Sequence, residues 1–338
     1  MLSSQKPKLI PVAFATSGAK QDIPVASQVG VTPGRASYTD GFPPLTRTPL
    51  SAGGIPPYGT DFNGVLNEIS AAIRWANAGM GYTYDAAFST SVGGYPKGAQ
   101  LTKSTNDGIW LNTVESNTAN PDSGGTGWLD MTSGRLIGTP IVFESSGTYT
   151  PSAGVKSIRI KVWGGGGAGG GTQAVSSAQA AVGGGGSAGA YAESFIPATS
   201  IAIVIGTGGV ANAGTDGTDG GASTAGSISA SGGSGGALGI AGSEFPFGAQ
   251  PRNPTTATGG NIINAPGNTA AMGFTWSNGG AIRAMGGQST VGSSLYAATA
   301  AGKSAGGAGS VSAGSAGAQP ALAGYNGAPG LVIVEEYS

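Results

Sequence analysis

The sequence predicts a mainly β protein. It has an extended N-terminal arm and a short helix, a small β module, then a C-terminal β-sandwich with glycine-rich loops of the polyglycine II kind. Three observations carry this expectation. Of 338 residues 66 are glycine, and the long Gly/Ala/Ser/Thr tracts fall in the second half. Short apolar runs stand before, within and after those tracts, where strands would begin and end them. Sustained helical spacing appears once, in residues 60–80. The boundaries expected are 1–59, 60–80, 81–138 and 139–338.

Residues 1–59 are proline-rich, and Pro33-Gly34, Pro43-Pro44, Pro49 and Pro56-Pro57 favour extended backbone with turns. Such an arm lies along another surface instead of folding alone. Its start, Lys6 and Lys8 with the apolar run Leu9 to Ala15, has the outline of a short signal peptide. That run is at the lower limit of length and is broken by Pro11, so an ordered or extended arm is expected.

The helix can be capped by Thr60 or Asp61 and stopped at Gly79. Between them Phe62, Leu66, Ile69, Ile73 and Ala76 recur at spacings of 4, 3, 4 and 3, a heptad seam. Two heptads fit either a seam between subunits or one amphipathic helix on its own domain. Residues 81–138 read as a turn-rich β module, with turns at Gly93 to Gly98 and Asn120 to Gly125. Trp110 and Trp128 are expected in its small core, the alternative being exposed rings that hold sugars.

From 139 onward, Ile141 to Phe143, Lys156 to Trp163, Tyr191 to Ile196, Ile201 to Ile205 and Leu331 to Val334 read as strands. Ile158, Ile160 and Val162 should face one way, Arg159 and Lys161 the other. Leu331 to Val334 is apolar on both faces, as in a strand buried in a sandwich. A flexible linker is one reading of the glycine between these strands. A closing strand at the end argues instead for excursions from a single domain. Extended three-residue helices have no internal hydrogen bonds, so their backbone groups must pair with neighbouring strands of a bundle or remain in water, and the ordered bundle is expected. Close lateral packing then demands faces without Cβ.

The chemistry is narrow. There is no cysteine and no histidine, which removes disulfides, thiolate zinc sites and the commonest general base. Only 16 acidic residues remain for carboxylate chemistry, so no enzyme, cofactor or metal site is expected. Net charge is −1, with no basic footprint for nucleic acid, and no run is long enough to insert in a membrane. Ile201 to Ala211 mimics a dinucleotide fingerprint, but the next residues, Asn212 to Gly217, cannot start a helix. Gly302-Lys303-Ser304 lacks the earlier glycine of a phosphate loop. Asp216 and Asp219 read as turn residues rather than calcium ligands, and Glu335 and Glu336 should point to opposite faces.

Binding energy sits where large side chains cluster within the glycine-rich half. Phe245 and Phe247 lead to Arg252; Phe274 and Trp276 lead to Arg283; Tyr296 stands more alone. Aromatic and Arg residues dominate interface hot spots. These residues form either a recognition surface or a local hydrophobic plug.

The strings Tyr38-Thr39-Asp40-Gly41-Phe42-Pro43-Pro44-Leu45 and Gly53-Gly54-Ile55-Pro56-Pro57-Tyr58-Gly59 resemble the N-terminal region of tailed-phage tail fibre proteins. The likeness continues to Gly94-Tyr95-Pro96-Lys97-Gly98 and Gly127-Trp128. From Val155 to Tyr337 the chain looks like the glycine-rich domain that ends many such fibres. The resemblance implies a homotrimer in the virion tail, joined to tail or baseplate proteins by its N-terminal region. Its distal end would meet a bacterial surface glycan or outer-membrane protein. A purely structural tail component and a depolymerase are the alternatives, the latter disfavoured by the missing histidine. No receptor-contacting residue carries over by motif.

Overall fold

A computed structural model describes residues 7–338, so Met1 to Lys6 lie outside the described residues. The chain divides into two compact units, one ending at Thr132 and one running from Ser133 to Ser338.

In the first unit the long helix is Gly59–Asn77. The arm runs antiparallel along it. The Phe14 N–H donates to Ser70 Oγ, Asn63 Nδ2 donates to the Ala19 carbonyl, and the Gln21 N–H donates to the Thr60 carbonyl. Gly64 makes this approach possible, because a Cβ there would stand 2.1 Å from the Gln21 carbonyl oxygen. The expected cap is corrected: the helix begins at Gly59, and Tyr58 precedes it with no side-chain cap. Asp61 lies in the first turn, fully buried, and its Oδ2 accepts the Ala36 N–H at 2.7 Å. The arm has taken the carboxylate that would have capped. Gly79 stops the helix at φ +82° as expected. Leu66, Ile69, Ile73 and Ala76 are exposed; Phe62 is exposed too, with one ring face stacked on Phe42 at 4.5 Å.

The module after it is not wholly β. Ala86–Val92 is a short helix, capped by Asp85 Oδ1 accepting the Phe88 N–H and ended at Gly93, φ +77°. Its Ser/Thr-rich sequence has weak helical propensity, so only the Asp cap signals it. Gln100–Thr102, Ile109–Asn112 and Trp128–Asp130 form a three-stranded antiparallel sheet. The aromatic centre is Tyr95, ringed by Tyr84, Phe88 and Trp128 at 5.7, 6.0 and 5.9 Å. Trp128 packs here as expected. Trp110 sits on the flank, half-buried, donating to Asp122 at 2.8 Å beneath the Lys103 ammonium. Burial alone would raise the Asp130 pKa, but bonds from Lys103 and Thr132 outweigh it and hold the carboxyl well below the usual range.

The second unit is built on a sandwich. One five-stranded sheet runs Ile263–Ala265, Tyr191–Pro197, Ser157–Trp163, Leu331–Tyr337, Leu136–Phe143; the other runs Ala257–Thr258, Ile228–Ala230, Ser223–Ala225, Ile201–Val204, Gly147–Tyr149. Ile158, Ile160 and Val162 alternate inward as expected and meet Ile201, Ile203, Ile228, Val332 and Val334 in the core. On the outer face Arg159 pairs with Glu193, and Lys161 with Glu335 at 2.7 Å. Glu336 points the other way, into the sandwich, where its Oε1 accepts the Tyr149 hydroxyl at 2.7 Å and the Ser152 N–H at 2.9 Å. Burial opposes the charge on Glu336, yet these bonds hold its pKa below the ordinary value.

Past one end of the sandwich its strands continue as extended segments. Residues 164–172 prolong Ser157–Trp163, 183–190 lead into Tyr191–Pro197, 231–239 prolong Ile228–Ala230, and 322–330 lead into Leu331–Tyr337. The segment 164–172 is central and wholly buried. Its N–H groups repeat every three residues in three directions. Gly164, Gly167 and Gly170 donate to Ala190, Ser187 and Gly184; Gly165, Ala168 and Gly171 donate to Gly221, Thr218 and Thr215. Gly166, Gly169 and Thr172 donate to Ala328, Tyr325 and Leu322, all nine bonds being 2.8–3.0 Å. Its carbonyls accept from three further segments, through Gly209, through Gly233, Gly236 and Gly239, and through Gly307 and Ser310. Six neighbours around one helix with a three-residue period is polyglycine II packing, and it satisfies all nine N–H groups of the segment and most of its carbonyls, which the helix cannot satisfy itself.

Candidate binding surface

The far end of the bundle is fixed by the chain path. Residues 164–172 leave the sandwich and 183–190 return to it, so the connection 173–182 lies at the opposite end. There Ala180–Val182 pairs with Val311–Ala313. Against Val182 packs a second small sheet, Phe247–Ala249, Gly273–Thr275 and Ala281–Ile282, all antiparallel.

Alternation along Gly273–Thr275 decides what this sheet shows. Gly273 and Thr275 face the bundle: a Cβ on Gly273 would stand 2.7 Å from Val182 Cγ2, and Thr275 is fully buried. Thr275 Oγ1 holds the adjoining turn through the Ser277 and Gly280 carbonyls, both at 2.9 Å. Met272, Phe274 and Trp276 therefore face outward. Phe274 lies directly across from Ile282 on one side and Gly248 on the other. These four large apolar side chains are exposed at 51, 38, 52 and 54 % for Met272, Phe274, Trp276 and Ile282. The Phe274 and Trp276 rings stack at 6.5 Å, and the indole lies against Gly280. The backbone beneath them is pinned by the bundle, so their positions are preorganised.

Sandwich, three-residue-period bundle and closing strand together make one structural unit, and residues 142–337 match the family model of the glycine-rich domain. The chain belongs to the glycine-rich domain family. No curated protein matches it.

Within the glycine-rich domain the expected site residues divide. Phe247 lies opposite Thr275 and so on the bundle-facing side of the sheet, half-buried, its ring against Gly242; Phe245 stacks on it at 5.6 Å. This pair is a plug. Arg252 is ion-paired with Asp216, whose Oδ1 also accepts the Leu238 N–H. Arg283 is half-buried over the Tyr325 ring at 5.6 Å. Phe274 and Trp276 are exposed as a pair, and Tyr296 is exposed elsewhere, outside this sheet. Met272, which opens the large-residue stretch that leads to Trp276, and Ile282 join the exposed face although neither was among the expected contact residues. The signal for Met272 was the large-small alternation Met272-Gly273-Phe274-Thr275-Trp276; Ile282 is placed by hairpin register alone.

The motifs set aside have structural roles. Asp219 accepts the Gly235 N–H at 2.7 Å, tying bundle segments together as Asp216 does. Lys303 lies 3.5 Å from Glu144. Among the described residues no three potential ligands gather to hold a metal ion, and no helix is long and apolar enough to cross a membrane.

Proposed function

We propose that this protein is a phage tail fibre that attaches to the tail through its N-terminal region and binds the host surface through its glycine-rich domain. The observation that carries the reading is the exposed face of Met272, Phe274, Trp276 and Ile282 at the bundle end remote from the sandwich. Apolar side chains of this size are costly to leave in water on so small a sheet, and rigid aromatic anchors lose little entropy on binding. The binding is non-covalent, to a surface glycan or an outer-membrane protein, and the reading assigns no catalysis. The carboxylates of Glu193, Glu335, Glu336, Asp216 and Asp219 are each engaged in internal bonds.

The reading includes a homotrimer. The exposure of Leu66, Ile69, Ile73 and Ala76 along one helix supports it. Light scattering should give three times the chain mass, and Leu66→Asp with Ile69→Asp should return it to one.

The test of function adds purified protein to host bacteria before phage. Saturable surface binding and competition with adsorption are expected. Folded protein that binds no cell surface at saturating concentration would leave a purely structural tail component. Loss of capsule or lipopolysaccharide on incubation would instead indicate a depolymerase.

A further inference from the structure

A second site lies in the first unit, far along the sequence from the glycine-rich domain. A cleft of about 680 Å³ opens beside the three-stranded sheet, lined by Tyr82, Asp85, Phe88, Tyr95, Gln100 and Leu101 among others. Its volume is that of an ordinary small-molecule site. We propose that this cleft binds carbohydrate, presenting two aromatic walls to the apolar faces of sugar rings and a polar rim to their hydroxyls.

The walls are Tyr82 and Phe88, 61 and 54 % exposed. Neither is loose. Trp75 packs on Tyr82 at 6.4 Å, and its Nε1 donates to the Gly81 carbonyl at 3.0 Å, fixing the segment that carries Tyr82. Phe88 is held on the capped helix Ala86–Val92 and against Tyr95. The floor is Leu101 and Tyr95, both buried.

The polar inventory fits a hydroxyl-rich, uncharged ligand. Tyr95 Oη accepts the Asp85 N–H at 3.2 Å, so its own proton remains to be given into the cleft. Asp85 spends Oδ1 on the Phe88 N–H, while Oδ2 has no partner among the described residues. The Gln100 amide is exposed and likewise unpartnered among them. Donor, acceptor and amide thus surround ring faces, as a saccharide requires. No Lys or Arg lines the cleft, which disfavours an anion. An added peptide strand is disfavoured as well, because the Thr102 N–H at the sheet edge already donates to the Tyr82 carbonyl at 2.9 Å.

The test titrates full-length protein by calorimetry with tetrasaccharides of glucose, N-acetylglucosamine, mannose and xylose, and with a proline decamer. Saturable binding of at least one tetrasaccharide is expected. Tyr82→Ala should weaken it by about tenfold or more through loss of ring contact, and Gln100→Ala should weaken it less. Phe274→Ala with Trp276→Ala should leave it unchanged, which separates this site from the one at the bundle end. Tyr82 and Gln100 are exposed, so both variants should fold, as circular dichroism will verify. No saturable heat with any tetrasaccharide overturns the proposal, as does binding that Tyr82→Ala leaves intact. Capture of the proline decamer alone, dependent on Tyr82, also overturns it.

Discussion

The sandwich and the bundle are made from the same strands continued across a boundary, yet they exclude water by opposite means. The sandwich fills its interior with Ile158, Ile160, Ile203, Val332 and Val334. The bundle removes side chains until backbones touch, and a Cβ on Gly166 would stand 1.9 Å from the Ala305 carbonyl oxygen. In the first region stability comes from apolar burial. In the second it must come from backbone bonds, each contributing about 0.5–1.5 kcal/mol net, and these offset the extra entropy lost by ordered glycine. A core can relax around a lost methyl group. A bundle of touching backbones has no soft side chain to yield around a gained one.

The difference is broken most severely by Gly166→Ala. It should cost more than about 4 kcal/mol or abolish folding, measured by urea denaturation, while Gly147→Ala in the sandwich should be near neutral. At Gly147 a Cβ would meet nothing closer than Phe143 at 3.9 Å. Tolerance of alanine at Gly166 would sink the view that contact between backbones dictates composition here.

Ile160→Ala in the sandwich should cost about 2–5 kcal/mol, as buried large-to-small changes do. The unfolding midpoint should fall while the transition stays cooperative. Glu336→Gln should cost about 1–3 kcal/mol at neutral pH, the range for a buried hydrogen-bonded carboxylate losing partners. Its pKa is depressed in the folded chain, so its stabilising effect is complete above the ordinary glutamate value of 4.5 and is lost as pH falls below it. The gap between wild type and Glu336→Gln should accordingly close in acid. A gap that persists in acid would mean the carboxylate is not held charged by Tyr149 and Ser152.

The smallest effect on stability belongs to Trp276→Ala with Phe274→Ala. These rings point away from the bundle, so the change should be within about 1 kcal/mol, while adsorption competition should be lost. Large destabilisation would show that the two rings are part of the packing and not a free surface.

Much of the sandwich was legible. Strand Ser157–Trp163 announces its inward face by alternation, and Leu331–Tyr337 announces burial by its unbroken apolar start. The bundle was legible as a necessity, since ordered glycine tracts between strands need partners for their backbone groups. Which segment would be central was not, because registers between segments depend on where each strand ends. The helix Ala86–Val92 was missed for want of propensity. The division of the candidate site was hidden as well: Phe247 and Phe274 look alike in sequence, and only the pairing Phe247 to Thr275 assigns them opposite faces. Composition can find aromatic residues, but it cannot tell which side of a hairpin they take.

The place of one strand in the sandwich bears on how the protein is made. Leu331–Tyr337 lies between Ser157–Trp163 and Leu136–Phe143, in the interior of its sheet, although it comes after every glycine segment in the chain. A ribosome that has delivered the whole of 164–330 has made every other strand of the sandwich, but Ser157–Trp163 and Leu136–Phe143 still lack the strand that joins them. The seam closes only when Leu331–Tyr337 slides between two edges already waiting. That sheet is therefore completed only when the last strand has been made, and a chain cut short before Leu331 would carry all of its glycine without the strand that joins Ser157–Trp163 to Leu136–Phe143.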